Sequence, residues 1–186
     1  MKQRAFVFID GSNFYHKLKD LCVNFDSKRK FLNFKYLEFI NWLIGENQFV
    51  GARYYIGAIK RVNNDVKSQD LYSDQQKLLS KLDILGIKAV LGNVIKHPDK
   101  TFHEKGVDVR LAVEMIRLAR KDEYDVAYLL SSDTDLVAAV EEVQSFGKIV
   151  IYVGISKGQS FGLTKVADDV ILLRSSDIDI FLPKIL

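Results

Sequence analysis

Five side chains in this sequence have the chemistry to gather around a divalent cation. Asp10 and Asn13 lie in FIDGSN, Asp108 in KGVDVRL, and Asp133 and Asp135 in LLSSDTD. Carboxylates crowded into one cleft repel one another, and a cation is the usual neutraliser. An all-oxygen set without cysteine suits Mg²⁺ or Mn²⁺ rather than zinc. Each aspartate also has an ordinary structural reading. Asp10 and Ser12 are good helix caps, Asp135 can cap a helix starting at Leu136, and Asp108 suits the first turn of a helix dipole. The metal reading rests on the combination, which requires that three segments distant in the chain meet at one edge of the fold.

The segments that must position them read as alternating strands and helices. Short apolar runs at Ala5–Ile9, Ala52–Ile56, Ile87–Leu91, Val126–Leu130, Ile149–Val153 and Val170–Leu173 predict six strands buried on both faces. Helical periodicity predicts helices at Asn13–Leu21, Asn33–Leu43, Asp70–Leu85, Asp108–Arg120 and Leu136–Phe146, with a shorter one at Gln159–Ala167. This order predicts an α/β fold, a three-layer α/β/α sandwich on a mostly parallel sheet. In such sheets ligands sit beyond the carboxyl ends of the strands. Asp10 and the Ser131–Asp135 segment follow two of those ends directly. Lys60–Lys67 and Asn93–Gly106 are expected to be loops, and a loop as long as the second is usually functional or disordered.

Composition narrows the class. The 186 residues carry 27 Lys+Arg against 24 Asp+Glu, a net charge of +3, so charge alone does not point to nucleic acid. The length suits one domain spanning residues 1–186, with a core over about 4–174 and a tail over 175–186. The single cysteine, Cys22, excludes an internal disulfide framework and reads as a small buried hydrophobe. The apolar run at the N-terminus is too short for a signal peptide, and no window reads as a membrane span, so a cytoplasmic protein without a membrane partner is expected. Tyr54, Tyr55, Phe34, Phe39 and Trp42 read as core rather than a base-stacking platform. The apolar tail Ile178–Leu186 is expected either to pack on the domain or to contribute to a homodimer contact.

The blocks FIDGSNFY (Phe8–Tyr15), KGVDVRLAVEM (Lys105–Met115) and LLSSDTDLVAAVEEVQSFGKIVIYVG (Leu129–Gly154) resemble, in order and spacing, the signatures of the NYN domain family, and within it the LabA-like branch of the PIN-like nuclease superfamily. The resemblance runs over nearly the whole chain. It implies a PIN-like sandwich and a metal-dependent ribonuclease that hydrolyses RNA phosphodiesters with a metal-activated water. Asp10, Asp108 and Asp133 would then be metal ligands, Asp135 a fourth acidic position and Asn13 a polar member of the pocket. Asp168 and Asp169 match the family's terminal acidic pattern only loosely. Ser132 stands where the family pattern has glycine.

On this reading the expected products carry 5′-phosphate and 3′-hydroxyl ends, because no histidine falls in the acidic motifs. Lys60, Arg61, Lys96, Lys100 and Lys105 are the expected phosphate contacts, and Phe102, His103 and Tyr15 could stack on bases of single-stranded RNA. Taken singly, each of these reads first as an ordinary solvated loop charge or a packed ring. The alternative is a weakly active or non-catalytic RNA-binding module on the same fold. A haloacid-dehalogenase-type phosphatase is disfavoured because Asp10–Asn13 lacks a second aspartate, and a glycosyltransferase because it leaves Asp10 and Asp108 unexplained. A dinucleotide-binding protein is disfavoured because no G-x-G-x-x-G follows the first strand.

Overall fold

A computed structural model describes residues 2–21, 31–59, 61, 65–96, 102–156 and 158–183. The strands are β1 (Arg4–Asp10), β2 (Gln48–Gly57), β3 (Ile87–Lys96), β4 (Phe102–Lys105), β5 (Val126–Leu130), β6 (Ile149–Ile155) and β7 (Asp169–Leu173). They form one sheet in the order β4-β3-β2-β1-β5-β6-β7. Six strands run parallel, and β4 pairs antiparallel with β3 at the edge. The strand order reverses beside β1, which puts the crevice between β1 and β5 where an open α/β sheet offers a ligand site.

Two cores cover the sheet. Strand parity divides β1 between them: Ala5, Val7 and Ile9 face one core, Phe6 and Phe8 the other. The first core packs under α1 (Gly11–Leu21), α2 (Tyr36–Ile44), α3 (Val66–Ile84) and the short α7 (Ser175–Asp179). The second packs under α4 (Val107–Arg120), α5 (Val137–Ser145) and α6 (Phe161–Val166). The layered, mostly parallel architecture expected from the apolar runs is therefore present. Tyr54, Tyr55, Phe34 and Phe39 are buried, as expected, whereas Trp42 remains 43% exposed while stacking on Phe39. The tail packs on the domain through Ile178, Phe181 and Leu182. Cys22 lies outside the described residues. Among the described residues no helix is long and apolar enough to cross a membrane.

Two expectations are corrected. Asn93–Gly106 is not wholly a loop: β3 continues to Lys96 and β4 returns alongside it, with Asn93 opposite Lys105 and Lys96 opposite Phe102. The charges and the proline of this segment hide the pairing, because an edge hairpin needs no apolar run on both faces. The helix read from Asp70 begins at Val66 instead, since Asp65 caps it by accepting from the Ser68 N–H at 3.1 Å. Val66 and Lys67, expected within the Lys60–Lys67 loop, belong to this helix.

Candidate functional site

Asp10 is the last residue of the central strand and only 5% exposed. A carboxylate so buried is costly without donors. Its Oδ1 accepts from the Asn13 N–H at 3.0 Å, and its Oδ2 accepts from the Ser131 hydroxyl at 3.0 Å. The capping role considered for Asp10 is thus real, and one carboxylate serves both α1 and the neighbouring strand exit. Gly11 makes the abrupt strand-to-helix turn feasible: a Cβ there would stand 2.3 Å from the Tyr54 ring and 2.8 Å from the Tyr55 carbonyl. Tyr55 is the register partner of Asp10.

Ser131 joins the two acidic segments. It follows Leu130, which pairs with Ile9, so its hydroxyl lies level with Asp10 across adjacent strands. The Asp133 N–H donates to that same hydroxyl oxygen at 3.2 Å, and Asp133 Oδ1 accepts from the Asp135 N–H at 3.0 Å. Asp133 thereby caps the 3₁₀ turn Thr134–Leu136, which leads into α5. Asp10 and Asp133 are therefore brought to one crevice with a single hydroxyl between their segments. Asp133 is half-buried and Asp135 exposed.

Asp108 arrives by another route. Gly106 takes a left-handed conformation (φ 77°), which a side chain would strain, and turns the chain from β4 into α4. Asp108 occupies the first turn of α4, half-buried, and this helix packs against β1, β2, β3 and the 3₁₀ turn. Strand parity puts Asp10 on the face that α4 covers. Among the described residues, however, no three His, Cys, Asp or Glu side chains are grouped so as to hold one ion. The donor chemistry nevertheless suits Mg²⁺, which typically takes one or two carboxylates and keeps several waters or substrate phosphates. Asp10 and Asp133 are the two carboxylates of this crevice that could supply such a pair.

The expected cations are only partly described. Lys105 and Arg61 are exposed, Lys96 lies on β3, and Lys60 and Lys100 lie outside the described residues. Phe102 and His103 lie on β4. Tyr15 is half-buried with its ring edge-on to Phe31 at 5.0 Å.

Sequence reasoning missed three supports. Ser131 stands out in the sequence only as the start of the segment after the fourth strand, although a hydroxyl directly after an apolar strand is the available signal. Tyr152 of β6 accepts from the buried Ser160 N–H at 3.0 Å and lies 3.3 Å from the Ser132 hydroxyl, tying the acidic loop to the start of α6. Glu114 of α4 pairs with Arg53 and accepts from the Tyr55 hydroxyl at 3.0 Å, which fixes the helix bearing Asp108 against β2. Burial, reinforced by the Glu114 charge, pushes the Tyr55 phenol far above its ordinary range and keeps it a donor.

The crystal structure of a protein of unknown function from Vibrio parahaemolyticus is similar, with 22% identity, a TM-score of 0.64, and coverage of 98% of this chain and 97% of that one. At that identity the likeness establishes the fold. No curated protein matches the chain. The sequence model of the NYN domain matches residues 4–177, nearly the whole described structure. The sheet order, the strand-end aspartates and that match agree, and the chain belongs to the NYN domain family, with its PIN-like nuclease type of fold.

Proposed function

We propose that this chain is a metal-dependent ribonuclease of the LabA-like branch acting on single-stranded RNA. The observation that carries the reading is the buried Asp10 carboxylate at the end of the central strand, tied through Ser131 to the Asp133 segment. Asp10 and Asp133 would hold Mg²⁺ or Mn²⁺, Asp108 would act on the ion through bound water, and Asp135 would stand at the exposed margin. A bound ion of this kind supplies an activated water and neutralises charge at phosphorus. The chain's own contribution is orientation. The Asn13 N–H and the Ser131 hydroxyl fix the Asp10 oxygens, and the Asp135 N–H fixes one oxygen of Asp133. Lys105, exposed and one residue before the turn into α4, would offset phosphate charge.

A second reading, an RNA-binding module with little or no turnover, is favoured by one observation: three carboxylates are not gathered within reach of one ion among the described residues. Cleavage of a labelled single-stranded RNA separates the two. The nuclease reading expects cleavage with Mg²⁺ or Mn²⁺, loss of it in EDTA, 5′-phosphate products, and loss in Asp10→Asn and Asp133→Asn. Binding without metal-dependent cleavage establishes the second reading. Cyclic phosphate ends overturn the metal-water chemistry.

A further inference from the structure

A pocket of about 260 Å³ opens beside the site on the α1 face of the sheet. Its wall begins at Gly11 and Ser12, the two residues after Asp10, and continues through Tyr15, Ile56, Leu71 and Leu78. The lining is mostly hydrocarbon with the rings of Tyr15 and Phe31, and Ser12, Asp74 and Gln75 are its polar members. Gln75 spends its amide on the chain itself: its Oε1 accepts from the Ile59 N–H at 2.8 Å and its Nε2 donates to the Gly57 carbonyl at 2.7 Å. What remains for a ligand is a shaped apolar slot with an aromatic wall. The volume falls just below the roughly 300–1,000 Å³ of pockets that take drug-sized molecules, and suits a single ring system.

We infer that this pocket is a subsite for one unpaired nucleobase of the RNA strand whose phosphate lies at Asp10. The inference rests on the nuclease reading and adds to it where the strand is gripped. Three observations favour a base over an apolar side chain of a protein partner. Gly11 and Ser12 in its wall follow Asp10 directly in the chain, so the pocket opens at the same carboxyl edge of the sheet as the candidate site. Tyr15 offers a ring for stacking, which every base can use regardless of sequence. The exposed Arg61 lies two residues beyond the lining Ile59, so a cation stands near the rim where a flanking phosphate would run.

The test uses the Asp10→Asn chain, which keeps RNA intact, with isoleucine and leucine methyls isotopically labelled for NMR. A short oligouridine is titrated in, alongside versions carrying one abasic position at each site in turn. The expected result is ring-current shifts at the methyls of Ile56, Ile59, Leu71 and Leu78, lost with one particular abasic version. Tyr15→Ala should weaken binding of the intact oligomer about tenfold and of that abasic version hardly at all. RNA binding with shifts confined to other methyls, or with equal shifts from every abasic version, overturns the subsite and leaves the nuclease reading standing. Absence of any binding by both the variant and the wild-type chain overturns both. Shifts at these methyls from an apolar tetrapeptide, and none from RNA, assign the pocket to a protein partner and overturn the inference.

Discussion

Asp10 caps α1 and stands at the candidate site with the same two oxygens, so a cap and a functional carboxylate are not competing explanations for it. The same is true of Asp133, which caps the 3₁₀ turn. Capping orients each carboxylate with backbone and hydroxyl donors, and orientation is what a cation site needs. Ser131 is the residue on which this depends. Replacing it with alanine removes a donor from a buried carboxylate, a hydrogen bond to a charged group worth about 2 kcal/mol. Ser131→Ala should therefore lower unfolding free energy by about that amount in urea denaturation, and should reduce any metal-dependent cleavage. Full stability in the variant would mean that water replaces the hydroxyl and the link is dispensable. The sequence made Asp10 and Asp133 visible because each follows an apolar run within three residues. It did not make Ser131 visible, because a serine in a strand exit has no distinguishing pattern until the neighbouring strand is known.

At the scale of elements, β1, β5 and β6 were legible because burial on both faces writes itself as near-continuous apolar and aromatic runs, while β2 and β3 stayed legible despite Arg53 and Lys88 and β7 is only partly buried. The β3–β4 pair was not legible, since an edge pair can carry lysines and a histidine in its strands. Helix bodies were legible from periodicity while their starts were not: Asp65, capping through Ser68, precedes the apolar stripe from which α3 was read. The element with most consequence for the site is α4. Its first turn holds Asp108, and further along the helix Glu114 meets Arg53 and Tyr55 of β2. The side chains of Arg53 and Glu114 are 12% and 17% exposed. Removing one partner of such a largely buried pair leaves the other charge poorly compensated. Glu114→Ala should cost about 3 kcal/mol, with Glu114→Gln costing less because the amide oxygen can still accept from Tyr55. If the proposed roles hold, Mn²⁺ affinity measured by calorimetry should also fall in Glu114→Ala, because Asp108 loses its anchored helix. Unchanged stability in Glu114→Ala would show that α4 is held by its apolar face of Val107, Leu111, Met115 and Leu118 alone.

Across the whole molecule the two edges of the sheet carry different electrostatics. The carboxyl edge carries Asp10 and the Asp133 segment with their backbone and hydroxyl donors. The amino edge is closed by a four-residue ion network. Arg4 on β1 donates to both Asp125 oxygens, at 2.7 and 3.1 Å, and to Asp122 Oδ1 at 2.9 Å, while Lys148 pairs with Asp122 and lies 3.9 Å from Asp125. These contacts clamp β1 to the segments entering β5 and β6. Hydrogen bonds from Arg4 hold the Asp125 carboxyl down at about 2, and bonds from Lys148 and Arg4 hold Asp122 below its usual range. Both groups are depressed in the folded state, so their contribution is complete above the unfolded carboxylate range near 4 and is lost as pH falls through their folded values, about 2 for Asp125. Because the network is open to solvent, its net worth is that of a surface cluster and is reduced by salt. The difference in melting temperature between the wild-type chain and Asp125→Asn should therefore be constant from pH 5 to 7. It should shrink steadily between pH 4 and 2, and should be smaller at every pH in 1 M salt. Other carboxylates titrate in the same window, but they do so in both chains and cancel in the difference. A difference that persisted at pH 2 would mean that the Asp125 side chain acts through its acceptance from the Arg4 backbone N–H, at 2.9 Å, rather than through its charge.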